Sequence, residues 1–290
     1  MKFNQSFHTI DTQVVGQAFR IVTQSPIMIA EQSIDEAANM LSQHFEIPKK
    51  LLLSEPRGHR GMNGCIVLPS KEATFRLLFF QHEASQSFKY EAIIASVTAL
   101  IEQNTVQANE QQLVTIETTE GLITAKIELS EGGNTVSAVQ LQLAKAVIES
   151  DVAIVDSKRK YAIVEKPAGI SAIQLDELSS ISTWGIEESV KIIDVDGVIM
   201  YEKLDTHLRT VTFEKDGYVL RSPGVDTTLA MAAFLGEPNE LINESIFGSS
   251  IKIRANQKDG YELALKSYIT GTHQFVVDQE DPLQEGFVII

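Results

Sequence analysis

Along this chain a short apolar run, a polar loop and an apolar stripe at helical spacing recur as a unit. In residues 75–103, Phe75 and the run 77–80 read as a strand, and Ile93, Ile94, Val97, Leu100 and Ile101 fall at i, i+1, i+4, i+7 and i+8, one face of a helix. The loop between them therefore delivers residues 87–91 onto a helix N-terminus. In residues 208–237, the runs 211–213 and 218–220 flank a Lys215-Asp216-Gly217 turn. Asp226 then stands as the N-cap of a helix over 227–235, closed by Gly236. The echo predicts two similar halves, each aiming a helix N-terminus at something.

Between these units the pattern predicts further strands and helices. Residues 1–23 read as two strands about Val15-Gly16, with Pro26 ending the run, and Ser33-Ile34-Asp35-Glu36 is a capping box opening a helix that Pro48 stops. A charged, glycine-punctuated loop from Glu55 runs into a strand at 65–68, and 113–117 with 122–127 form a hairpin. Gly132-Gly133-Asn134 breaks the chain, giving domains of 1–133 plus 272–290 and 134–271. In the second domain a strand over 139–143 leads to a helical or irregular piece ending at Asp151. Strands at 152–155 and 161–164 then flank the basic Lys158-Arg159-Lys160. A helix over 173–192 is interrupted near Trp184-Gly185, and a strand occupies 197–201.

Composition narrows the partners. With 24 Lys and Arg against 39 Asp and Glu, the net charge is −15, which argues against a nucleic-acid backbone partner. No run approaches the ~20 apolar residues of a membrane span and the N-terminus lacks a signal-peptide pattern, so the expectation is a cytoplasmic protein without a membrane partner. The single cysteine, Cys65, excludes an internal disulfide, a thiolate zinc site and any mechanism needing two thiols. His8, His44, His82, His207 and His273 show no metal-ligand spacing, so no metal site is expected.

Five segments in order resemble the proline racemase family, which includes hydroxyproline epimerases and trans-3-hydroxyproline dehydratases. They are Glu55-Pro56-Arg57-Gly58-His59-Arg60-Gly61-Met62-Asn63-Gly64, the run 161–164 after Asp151-Val152-Ala153, Glu244-Ser245-Ile246-Phe247-Gly248, Ile269-Thr270-Gly271, and Asp281-Pro282 with Gly286-Phe287. The resemblance implies an α/β (α+β) fold of two pseudo-symmetric domains of the diaminopimelate epimerase-like kind. Each domain is a sheet wrapped around a central helix, with the substrate in the cleft between them and no cofactor. It also implies two cysteines at helix N-termini, within MCGH and DRSPCGTG motifs, moving the α-proton from opposite faces. A helix N-terminus favours a thiolate, and its free N–H groups bind a carboxylate.

This chain departs from that pattern at both helices. The first cysteine position is Lys89, followed by Tyr90 and Glu91; the second motif keeps Arg221-Ser222-Pro223 and then has Gly224, Val225 and Asp226. The family's D-S-H-T-E-G becomes Asp11-Thr12-Gln13-Val14-Val15-Gly16, and Cys65 aligns with a small strand residue. Two readings stay open. One is a catalytically silent paralogue whose ligand site (Tyr90, Glu91, Gly224, Val225, Asp226 and His59) takes a different small, amino-acid-like molecule or has closed. The other is a cofactor-independent isomerase or lyase on a proline-like amino acid, with Lys89 as a base of lowered pKa and Glu91 or His59 assisting. Bland roles stand beside each: a solvated lysine, a first-turn carboxylate on the helix dipole, an N-capping aspartate, a histidine pinning its loop. A homodimer is the other partner in view.

Overall fold

In the computed structural model, which describes residues 6–26, 33–82, 88–133, 135–215, 217–278 and 280–288, the chain gathers into two compact units. One comprises Met1–Phe88, Ala92–Val139 and Lys266–Ile290, the other Lys89–Glu91 and Gln140–Leu265. The tripeptide that leads the first predicted helix thus belongs with the second unit.

The first unit runs β1 (Ser6–Val14), β2 (Gln17–Gln24), α1 (Ile34–His44), α2 (Glu46–Leu53), β3 (Met62–Leu68), β4 (Phe75–Phe80), α3 (Tyr90–Glu102, whose first two residues count with the second unit), β5 (Leu113–Thr118) and β6 (Gly121–Leu129); β7 (Val136–Ala144) passes from it into the second. The second runs β8 (Val147–Glu149), β9 (Val152–Val155), β10 (Arg159–Glu165), α4 (Leu178–Lys191), β11 (Gly197–Lys203), β12 (Leu208–Glu214), α5 (Val225–Phe234), β13 (Glu240–Ser245), β14 (Ser250–Ala255) and β15 (Gly260–Leu265), and β16 (Ser267–Val276) returns to the first.

The duplication read from the hydrophobic pattern is present in the strand pairing. Within the first unit the strands are ordered β16-β1-β2-β3-β4-β5-β6, with β2/β3 and β4/β5 parallel and the rest of the paired neighbours antiparallel. The second is ordered β8-β9-β10-β11-β12-β13-β14-β15, with β10/β11 and β12/β13 parallel and its other neighbours antiparallel. Parallel neighbours need a crossover. In each unit helix α1–α2 or α4 spans the first parallel pair, and α3 or α5 the second. From β12 to α5 the chain therefore repeats what it does from β4 to α3.

Both second-crossover helices are buried around nearly their whole circumference, the mark of a helix inside a core rather than on a surface. Tyr90 through Leu100 of α3 are buried, as are Val225 and Thr227 through Ala232 of α5. Helix α5 packs on β8, β9 and β10 and also on β13 and β14, so the second sheet curls around it. The expected mixed α/β fold, with a sheet wrapped on a central helix, is present. Among the described residues no helix is long and apolar enough to cross a membrane.

Local signals mostly act as expected. Ser33 and Glu36 form the capping box, with backbone–side-chain bonds of 3.3 and 3.0 Å. Pro48 does not stop a helix; it lies in the first turn of α2, where a missing N–H costs nothing. Residues 147–149 are an exposed edge strand rather than the helical or irregular piece expected. Helix α4 runs unbroken through Trp184-Gly185. Gly185 is there for space: a Cβ would lie 2.0 Å from Phe213 Cδ1. Gly185→Ala should therefore destabilise the protein by about 1–3 kcal/mol through overpacking, although alanine favours a helix by ~1 kcal/mol. Urea unfolding of the variant checks this; a gain in stability would refute the packing role.

Candidate functional site

The loop ending β12 is shaped for glycine at the head of α5. Gly224 is the N-cap with φ +75, and a Cβ there would meet Thr227 Oγ1 at 2.9 Å. Buried Asn243 holds the loop from below, donating to Pro223 O at 3.4 Å and Thr228 Oγ1 at 3.1 Å while accepting from Thr210 Oγ1 at 2.9 Å. Thr228 Oγ1 donates to Gly224 O at 2.7 Å. Asp226 is not the N-cap: it is the second residue of the helix, and its carboxylate turns away to other partners. Asp216 lies outside the described residues.

Glu91 supplies the capping acceptor instead. The Val225 N–H donates to Glu91 Oε1 at 2.8 Å, and Glu91 is 3% exposed. Its carboxyl is pushed up from the usual range by burial and by the Asp226 charge, against the pull of the Val225 N–H and Lys89. Lys89, largely buried, forms an ion pair with Glu214 at 2.9 Å. The sequence suggests a lowered lysine pKa; here burial does favour the neutral amine, but Glu214, Glu91 and Asp226 together outweigh it, and the ammonium is held above its ordinary range. Ser87 lies outside the described residues.

Arg159 is the hub of the neighbouring cluster. Its guanidinium grips Asp226 through Nε and through Nη2 at 3.1 Å, and Nη2 also donates to Asp156 at 2.5 Å. Tyr161 donates to Asp226 at 3.1 Å and Tyr90 to Asp156 at 2.7 Å. Burial and the adjacent carboxylates push both phenols well above the ordinary tyrosine range. Asp156 reaches this position from a tight hairpin in which it and Ser157 have φ +49 and +58. As arranged, every one of these side chains is engaged by another, in bidentate or tyrosine-assisted bonds that fix orientation.

Of the residues singled out from sequence, Lys89, Tyr90, Glu91, Gly224, Val225 and Asp226 come together in the second unit. His59 belongs to the first, where its Nδ1 accepts the Gly61 N–H at 3.1 Å and its carbonyl lies 3.1 Å from His82 Nε2. Arg159, Tyr161, Asp156 and Glu214 complete the cluster without having been expected. Strand alternation was the available signal: Arg159 and Tyr161, at i and i+2 of β10, must share a face. The one thiol is inert. Cys65 is buried on β3, 3.3 Å from Ser96 Oγ, and burial pushes it up to about 12. Native protein at pH 8 should give no reaction with a thiol reagent over minutes and one equivalent after denaturation; rapid native labelling would overturn this.

Comparison with known proteins agrees with the topology. The profile described as proline racemase matches residues 9–288. A trans-3-hydroxy-L-proline dehydratase from Bacillus thuringiensis subsp. konkukian is 30% identical over 339 aligned positions covering 100% of both chains. A proline racemase from Acetoanaerobium sticklandii is 27% identical, again covering 100% of both. Among solved structures, a hydroxyproline epimerase from Agrobacterium vitis with bound trans-4-OH-L-proline superposes with a TM-score of 0.77 at 21% identity, over 100% of this chain and 96% of that one. On the match across residues 9–288 and these end-to-end relatives, the chain belongs to the proline racemase family.

Proposed function

We propose that this protein is a catalytically silent member of the family toward proline, with the fold kept and the two-thiol proton exchange gone. The ion pair between Lys89 and Glu214, 2.9 Å apart, carries the reading. At the position where relatives place one thiol, this chain has an ammonium fixed by a carboxylate and held protonated, which cannot accept an α-proton. At the other position Gly224 has no side chain, and its φ of +75 would strain any residue with a Cβ. Cys65 lies in the first unit and its thiol is held protonated.

The rival reading, a one-base isomerase or lyase using Lys89, needs a free amine near neutrality, and the salt bridge opposes that. Incubation with L-proline and with trans-4-hydroxy-L-proline in heavy water should give no α-deuterium incorporation above a protein-free control. Incorporation that disappears in Lys89→Ala would establish the rival, and incorporation that persists would still defeat the silent reading.

A further inference from the structure

We infer that the buried cluster around Arg159 and Lys89 is a pH-sensitive latch on the second unit: Glu91 is the last of its carboxyl groups to ionise, and its ionisation weakens the fold. Charge is unbalanced here, in a place that water barely reaches. Four carboxyl groups, Glu91, Asp156, Glu214 and Asp226, meet two cations, Lys89 and Arg159. Arg159 is shared between Asp156 and Asp226, and Lys89 is taken by Glu214. Three carboxylates against two cations already leave one surplus negative charge, and an ionised Glu91 would make it two. The phenols of Tyr90 and Tyr161 donate to Asp156 and Asp226 but bring no positive charge.

The hydrogen bonds select the carboxyl that keeps a proton. Asp226 accepts from Arg159 and Tyr161, Asp156 from Arg159 and Tyr90, and Glu214 from the Lys89 ammonium at 2.9 Å. Among the described residues no cation donates to Glu91; its Oε1 accepts the neutral Val225 N–H at 2.8 Å, and a proton on Oε2 leaves that bond in place. The groups around it are Lys89 and Tyr90 beside it in sequence, Glu214 at the end of β12, Asp226 on α5, Arg159 and Tyr161 on β10, and Asp156 on the hairpin before β10. At 3% exposure the ionised form has little water to stabilise it, and burial with the Asp226 charge holds the carboxyl above its ordinary range despite Lys89. The native state therefore binds this proton more tightly than the unfolded chain does. The resulting stabilisation is complete below the unfolded value and is lost as pH rises through the native one.

The test is the titration of Glu91 itself, with glutamate labelled in ¹³C at the side-chain carboxyl and the Glu91 signal identified by its absence in Glu91→Gln. Its midpoint should lie above those of exposed glutamates, and Asp226→Asn, which balances the remaining charges, should bring it down. If Asp226→Asn does not fold, Glu214→Gln, which frees Lys89 for Glu91, should lower the midpoint instead. Urea unfolding gives a second readout. Glutamine mimics the protonated acid, so wild type and Glu91→Gln should be equally stable in mildly acidic buffer, and the wild type should become the weaker of the two as the buffer is made alkaline. A Glu91 midpoint at or below those of exposed glutamates, a midpoint that the neighbouring substitution leaves unmoved, or a wild type that gains on Glu91→Gln with rising pH would overturn the inference.

Discussion

Arg159→Met is expected to lower the unfolding free energy by about 3–5 kcal/mol, the range for removing one partner of a buried ion pair. Arg159 is 1% exposed and compensates both Asp226 and Asp156. Methionine fills much of the same volume, so the loss reports stranded charge rather than a cavity. The phenol of Tyr161 still donates to Asp226 but cannot neutralise it. Adding Asp226→Asn to Arg159→Met should recover part of the loss, because it removes one of the stranded charges. Urea unfolding of the two single variants and the double variant measures this. A loss below 1 kcal/mol, or a double variant less stable than Arg159→Met alone, would mean that the cluster is solvated and does not organise the site.

Arg20→Met should cost a similar amount in the first unit, for a related reason. Arg20 stands on β2 directly opposite Asp11 on β1, and donates to its carboxylate through Nε at 3.0 Å and Nη2 at 2.7 Å. Its Nη1 donates to the carbonyl of Leu52 at the end of α2 and to Arg57 O at 2.7 Å, and its guanidinium carbon lies 4.3 Å from the Phe275 ring centre. About 3–5 kcal/mol should be lost, because buried Asp11 then keeps only the long contacts of Thr9 Oγ1 at 3.5 Å and His273 Nε2 at 3.4 Å. The loop after α2 should loosen at the same time, because Arg20 closes it onto β2. Limited trypsin digestion would then cut after Arg57 or Arg60 in the variant well before the wild type. Unchanged cleavage together with unchanged stability would show that Arg20 is not the anchor.

These arginines show where the sequence stops being legible. The two strand-loop-helix units could be read directly, because period-2 and period-3.6 stripes are local. Gly185 looked like a break because glycine weakens helices, yet it serves Phe213, 28 positions on, which no local pattern reports. Residues 147–149 gave no strand signal because an exposed three-residue edge has no buried face to alternate against. Arg159 lies within a basic triplet between two strand runs, a pattern that carries no local sign of a buried partner. Its partner Asp226 is 67 residues away and has the local signature of an N-cap, while Glu91, still further off in sequence, supplies the capping acceptor. Family motifs located the helix heads correctly. What those heads now hold is decided by long-range pairing.

Glu91 accepts the Val225 N–H at the head of α5 and should keep a ligand carboxylate from that position. The amide of Val225 reports on this directly. With valine labelled in ¹⁵N and the Val225 signal assigned by substitution, its shift should follow the titration of Glu91 as pH is varied, lose that dependence in Glu91→Gln, and stay fixed when L-proline is added. Movement of the Val225 amide on adding L-proline to the wild-type protein, or a shift that ignores Glu91, would show that Glu91 does not hold the head of α5.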